Sequence, residues 1–240
     1  YMNCGECFPC RKGATNCCEL LEVIGVHKDG GMRERFVLPA RKLHPSEKLT
    51  MEQLALVETL AIGCNCVNRS ACGEGDRVLV IGAGPIGMAV IEFLKVAKTE
   101  ITVMDMNETR LQFCKETLAV DHTVVFKNDG TEADRLREVN GGELPTTVID
   151  ATGSHISMSN AFQFCAFTGQ VLYVGITTQE LSFKHVAIHR PELTIKASRN
   201  ALPADFQRII RLIEEGVIDT RPWLTHHASY DDFIGEFPNW

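Results

Sequence analysis

The chain has 240 residues, 45% of them hydrophobic, and a formal net charge of −7. That is enough for one large domain or two ordinary ones with a real core. The acidic balance and the lack of a basic block argue against nucleic acid or an anionic membrane surface as partners. No apolar run reaches the roughly 18 residues of a membrane span.

The first element is a cysteine lobe, "NCGECFPCRKGATNCC" at positions 3–18. Cys4, Cys7 and Cys10 are spaced by two residues each, and Cys18 follows after a loop carrying Gly13 and Asn16. Four thiolates with no open position describe a structural zinc site, with Zn–S distances of about 2.3 Å. The loop has too few apolar residues to fold alone, so bound metal would organise it. An iron–sulfur cluster is the chemical alternative, because its bacterial pattern opens the same way. That pattern continues with Cys-Pro three residues later; here seven residues intervene and no proline follows Cys18. Cys17 is an extra thiol expected to point away from the metal, although an exchange of roles with Cys18 stays open. The other five cysteines (Cys64, Cys66, Cys72, Cys114, Cys165) are scattered through core-like sequence. They read as reduced, buried thiols of a cytoplasmic protein.

"VIGVHKDGGMRERFVLPARKLHPSEKLT" follows, with short extended runs about an Asp29-Gly30-Gly31 turn and prolines at 39 and 45. His27 and His44 lack a second ligand at metal spacing and read as ordinary loop or strand histidines. "TMEQLALVETLAIGCNCVNRSA" then switches to helical periodicity, with Thr50 as N-cap and Gln53 as its capping-box partner. Glu58 lies among Leu54, Val57, Leu60 and Ala61. A carboxylate in such company is costly unless it is paired, hydrogen-bonded or metal-bound.

"VLVIGAGPIGMAVIEFLKV" reads as a short strand, a Gly82-x-Gly84-x-x-Gly87 turn and a helix over Met88–Val96. A second strand, "ITVMD", ends at Asp105. Gly82 permits the tight turn, Gly84 lets backbone amides approach a pyrophosphate, and Gly87 brings helix and strand together. The turn as a whole, with Pro85 and Ile86, would place the phosphates on the helix N-terminus. Asp105 can accept hydrogen bonds from a ribose diol and would repel a 2′-phosphate, which favours NAD over NADP. Arg110 is the only nearby basic candidate for a phosphate. The pattern describes a dinucleotide site.

Alternation of strands and helices continues through "TRLQFCKETL", "HTVVF", a polar helix over 133–139, "TTVIDATGS", a helix beginning at "AFQFC", "GQVLYVGIT" and "LTIKASRN". This predicts an α/β fold with a doubly wound parallel sheet. Ligands bind at the strand C-termini of such sheets, which singles out Thr152, Gly153, Gly175, Ser198, Arg199 and Asn200 as cofactor-facing. "ADFQRIIRLIEEGVID" is an amphipathic helix stopped at Gly216.

A four-cysteine lobe shortly before this nucleotide unit resembles the zinc-dependent medium-chain alcohol and polyol dehydrogenases. Matching stretches are "CGECFPC" with Cys18, "DGG" at 29–31, "VETLAIG" at 57–63, "VIGAGPIG" at 80–87, "DATG" at 150–153 and "SRNA" at 198–201. "TNCCE", "VIGVHKDGG" and "SRNA" look most like the bacterial sugar-acid dehydrogenases of the L-galactonate 5-dehydrogenase type. The resemblance implies a Rossmann domain over 60–200 and part of a GroES-like, β-rich catalytic domain over 1–59 that carries the zinc lobe. It implies a C-terminal return to that domain over 201–240. The activity implied is hydride transfer from a secondary alcohol of a sugar acid or polyol to NAD, with a small-molecule substrate and a homo-oligomer when intact.

By the same resemblance Glu58 matches an acidic residue that can ligate a second, catalytic zinc. Thr59 and Asn65 depart from the family's usual Pro and His. The family's catalytic Cys and its His-Glu pair lie upstream of the lobe, and its final strand lies beyond "EFPNW". The chain is therefore expected to be an internal piece of a longer protein and inactive alone. A non-catalytic NAD-binding protein, an iron–sulfur electron carrier and a zinc-free NADPH quinone reductase are the alternatives, the last disfavoured by the lobe and by Asp105. The lobe and the nucleotide unit are expected to act separately, so that Cys10→Ser would leave nucleotide affinity nearly intact.

Overall fold

The structure, a computed structural model, describes residues 1–239. Six strands form one parallel sheet: β1 (Arg77–Ile81), β2 (Glu100–Asp105), β3 (His122–Val125), β4 (Thr147–Asp150), β5 (Gln170–Tyr173) and β6 (Thr194–Ala197). Their spatial order is β3-β2-β1-β4-β5-β6, so the winding reverses between β1 and β4. Such a reversal opens a crevice at the strand C-termini. The helices are α1 (Phe8–Arg11), α2 (Met51–Ser70), α3 (Pro85–Val96), α4 (Glu108–Glu116), α5 (Glu132–Val139), α6 (His155–Asn160), α7 (Val186–His189), α8 (Pro203–Glu214) and α9 (Phe233–Glu236).

Period-two alternation divides the central strands between two cores. Val78 and Val80 face one with α2, α3 and α8, while Leu79 and Ile81 face the other with Met158, Phe162 and Tyr173. Because both faces are covered, β1 reads as an unbroken apolar run. In α2 the Thr50 Oγ1 accepts from the Gln53 amide at 3.2 Å, and Gln53 Oε1 accepts from the Thr50 amide at 2.9 Å. A side chain at Gly63 would strike the backbone of Ala89 and Val90, so glycine is what lets α2 and α3 cross closely. The boundary expected after residue 59 falls inside α2, which joins the two parts of the chain as one continuous helix. The C-terminal segment expected over 201–240 opens with α8. Its Ile209 and Ile213 enter the core on α2's side of the sheet, and Trp240 lies outside the described residues.

Three local expectations need correction. α3 begins at Pro85, three residues before Met88, because proline at the first helical position loses no hydrogen bond and has its φ preset. The helix expected at "AFQFC" begins earlier, where Ser154 Oγ accepts from the Ser157 amide at 3.4 Å; Ala161–Phe164 is a single 3₁₀ turn. The extended runs around residue 29 form no ladder among the described residues, only the isolated bridges Met2↔Glu22 and Ile24↔Lys28. Extended backbone becomes a strand only beside a partner strand, and these runs find none there.

Candidate cofactor and metal sites

The residues predicted to face a cofactor lie at the C-terminal ends of strands, in the turns that follow them, or in the first turns of α3 and α4. At the β1–α3 turn Gly82 has φ +100°, a conformation that L side chains rarely adopt, and its amide donates to the Met104 carbonyl at 2.9 Å. A Cβ on Gly84 would meet nothing within 4 Å, so this turn faces open space. A Cβ on Gly87 would collide with the Gly82 carbonyl. Pro85 is exposed and Ile86 half-buried at the start of α3, whose first-turn amides have no intrahelical acceptors. Asp105 ends β2 beside this turn. Its Oδ2 accepts from the Ala83 amide at 2.6 Å and its Oδ1 from the Asn107 amide at 2.8 Å. Each oxygen keeps a lone pair that a ribose hydroxyl could use. Arg110 is exposed in the first turn of α4, where its amide donates to Asn107 Oδ1 at 3.1 Å. Open glycine turn, helix N-terminus and acidic strand end together fit a dinucleotide.

Beyond β4 and β5 the edge is held by a residue that sequence reading had not singled out. Asp150 is fully buried; its Oδ1 accepts from the Thr152 amide at 2.9 Å and hydroxyl at 2.7 Å, and its Oδ2 from Ser157 Oγ at 2.5 Å. Burial raises the Asp150 carboxyl above its usual range, against those hydrogen bonds. Gly153 has φ +67°, and a side chain on Gly175 would collide with the Gly153 amide, so these two turns lie pressed together. An acid closing an apolar strand was the available signal for Asp150.

The turn after β6 is held from two sides. Asn65, buried in α2, directs its Nδ2 to Ser198 Oγ at 3.1 Å and to the carbonyls of Arg199 and Asn200 at 3.1 and 3.0 Å. Asn200 is left-handed at φ +48°. From the cysteine lobe, Asn16 Nδ2 donates to the Arg199 carbonyl at 2.8 Å, and from just before the lobe Tyr1 Oη donates to the Ala201 carbonyl at 2.8 Å. Neither asparagine had been assigned a role; a polar residue inside the apolar run "AIGCNCV" was the signal for Asn65.

In the lobe, the Sγ atoms of Cys4, Cys7, Cys10 and Cys18 all lie within 4.8 Å of one another. Cys18 Sγ is 3.6 Å from Cys4 Sγ and 3.8 Å from Cys7 Sγ. A tetrahedral ion with sulfur at about 2.3 Å sets an edge of about 3.8 Å, so this donor set fits one zinc. A four-iron cluster gives each thiolate a different iron and would hold the sulfurs farther apart. Amides of Cys7 and Glu6 donate to Cys4 Sγ at 3.3 and 3.4 Å. Those bonds, the Cys7 amide first, bring the Cys4 thiol down to about 6, while desolvation pushes Cys10 up to about 11. Cys17 is exposed and outside the four-thiol group.

Glu58 is exposed on α2 and lines a cavity of about 220 Å³ with His44, Leu54, Val57, Phe206 and Ile210. His44 stacks on Phe206 at 5.1 Å between ring centres, and burial lowers its pKa. His27 Nδ1 accepts from the Val23 amide at 2.9 Å. Among the described residues the four-cysteine group is the only cluster of three or more potential ligands. A catalytic zinc with three protein ligands therefore does not fit the residues around Glu58. Among the described residues no helix is long and apolar enough to cross a membrane.

Residues 85–215 match the family described as zinc-binding dehydrogenase. L-galactonate-5-dehydrogenase of Escherichia coli K12 is 37% identical over 231 residues, covering 96% of this chain and 67% of that protein. L-arabinitol 4-dehydrogenase of Aureobasidium melanogenum is 31% identical over 242 residues, covering 98% of this chain and 65% of that protein. The chain thus spans about two thirds of the length of these relatives. The crystal structure of an alcohol dehydrogenase (rspB) from E. coli CFT073, complexed with NADH, superposes with a TM-score of 0.89 at 28% identity. That match covers 99% of this chain and 71% of the other.

Proposed function

Because this chain belongs to the zinc-binding dehydrogenases, we propose that it serves a hydride transfer from a secondary alcohol of a sugar acid or polyol to NAD. The observation that carries the reading is the sheet edge, where the Gly82–Gly87 turn opens beside the Asp105 carboxylate. Relatives that act on L-galactonate and L-arabinitol favour a polyhydroxylated substrate.

In this reading the first-turn amides of α3 bind the pyrophosphate and Asp105 takes the ribose diol. Asp150 fixes Thr152 beneath the cofactor, and Asn65 fixes Ser198, Arg199 and Asn200 at the far end of the edge. NAD, when bound, supplies the hydride acceptor. Cys4, Cys7, Cys10 and Cys18 would hold a structural zinc that orders the lobe and takes no part in the chemistry. Glu58 stands where a catalytic zinc ligand is expected by family likeness. No step is assigned to such an ion, since the residues around Glu58 do not assemble its site.

Ten free cysteines suit a reducing compartment, which supports a cytoplasmic location. The exposed edge of β6, with Ile195 at 41% exposure and Val186 of α7 nearby in sequence at 57%, is a template for strand pairing and supports a homo-oligomer.

Fluorescence titration with NADH and NADPH tests the reading. Tighter binding of NADH, with the gap narrowed by Asp105→Ser, is expected; equal binding of the two by the unmodified chain would overturn the ribose assignment.

A further inference from the structure

Lobe and nucleotide unit are expected from sequence to act separately, yet the lobe is hydrogen-bonded to the turn after β6. Few side chains of the lobe are buried; Cys18, at 3% exposure, and Asn16, at 6%, are two that are. Asn16 lies in the 3₁₀ turn Thr15–Cys17, between the third and fourth cysteines, so its placement depends on the geometry of the thiol cluster. Its amide points out of the lobe to the Arg199 carbonyl. One residue earlier, Thr15 Oγ1 lies 3.0 Å from Tyr1 Oη, which donates to the Ala201 carbonyl. The carbonyls on both sides of Asn200 are thus held by Asn16 of the lobe and by Tyr1, which touches the lobe at Thr15, and Asn200 is the residue in the left-handed conformation. Asparagine enters this conformation more readily than most residues, and the bonds to its neighbours' carbonyls fix it there.

We propose that Asn16 is a positioning residue that couples the lobe to the cofactor edge, so that zinc in the lobe and dinucleotide at the edge bind cooperatively. The proposal rests on the functional reading above. A metal-ordered lobe presents the Asn16 amide in place and holds the 198–201 turn in the conformation the cofactor needs. A metal-free lobe is left to fold with few buried side chains, and the turn then loses the Asn16 bond while keeping those of Asn65 and of the Ser198 amide to the Tyr173 carbonyl. Reciprocity requires that bound dinucleotide tighten metal binding by the same factor.

The test titrates the 240-residue chain with NADH by fluorescence, zinc-loaded and chelator-stripped, under reducing conditions. Asn16→Asp keeps the size of the side chain but removes the N–H donor. Stripping zinc is expected to weaken NADH binding about fivefold, as loss of one buried hydrogen bond implies. Asn16→Asp is expected to weaken NADH binding by a similar factor while zinc content is unchanged, and stripping that variant should then cost little more. Hydrogen exchange of the wild-type chain needs no variant: the Asn200 and Ala201 amides should exchange faster once zinc is removed. An unchanged NADH affinity and unchanged exchange on stripping, in a chain that binds both ligands, would overturn the coupling. A chain that binds no zinc or no NADH would overturn the functional reading itself, and the coupling with it.

Discussion

The carbonyl oxygen of Gly82 fills the space that a side chain on Gly87 would need. Strand β1 and helix α3 therefore meet backbone to backbone, and the helix N-terminus comes close to the sheet edge. Gly87→Ala is expected to force the two apart. Overpacking in a tight core costs about 1–3 kcal/mol, and here the obstacle is backbone, which cannot rotate away. Denaturant unfolding should show a loss at the upper end of that range, and NADH titration should show binding abolished. Wild-type affinity in this variant would mean that the glycine turn is not the phosphate site.

Zinc content distinguishes the five lobe cysteines. Cys10→Ser should reduce bound zinc well below that of the unmodified chain, because an incomplete thiolate set loses both charge and geometry. Cys17→Ser should leave zinc content unchanged, since Cys17 is exposed and outside the four-thiol group. Elemental analysis after gel filtration checks both, and zinc lost from Cys17→Ser but kept by Cys18→Ser would move the fourth ligand from Cys18 to Cys17.

Asp150 gives a pH dependence with a definite sign. Burial raises its folded-state pKa above the ordinary 3.8, so the folded chain binds that proton more tightly than the unfolded chain does. The stability this proton confers is present at low pH and is lost as pH rises through the folded value. Asp150→Asn should remove that slope. Its stability relative to wild type should improve as pH rises from about 4, as read from paired urea midpoints across pH. A pH-independent difference would place the Asp150 carboxylate in a less buried setting than described.

Residues 1–240 alone are expected to form no NADH from sugar acids or polyols, although the chain should bind the cofactor. Glu58 by itself cannot retain an ion that needs three protein ligands. An absorbance assay with added zinc checks this. Zinc-dependent turnover would show that groups near Glu58, His44 foremost, complete a metal site.

The sheet, its parallel sense and the glycine turn at its C-terminal edge were legible in sequence because each rests on local chemistry. Glycines at Gly82, Gly84 and Gly87, an acid at the end of "ITVMD", and short apolar runs set between helical stretches are all signals carried by neighbouring residues. The four-thiol lobe was legible for the same reason: its ligands are spaced so that one ion can gather them. The unpaired extended runs near residue 29 misled, because a strand is defined by a neighbour and sequence does not show whether one is in place. Only the tertiary structure could bring Asn65 and Asn16 to the same carbonyl of Arg199, from 134 and 183 residues away. A buried amide looks alike in sequence whether it caps a local turn or spans two parts of a fold. Its partner is chosen by packing, and that decision joined the metal lobe to the cofactor edge.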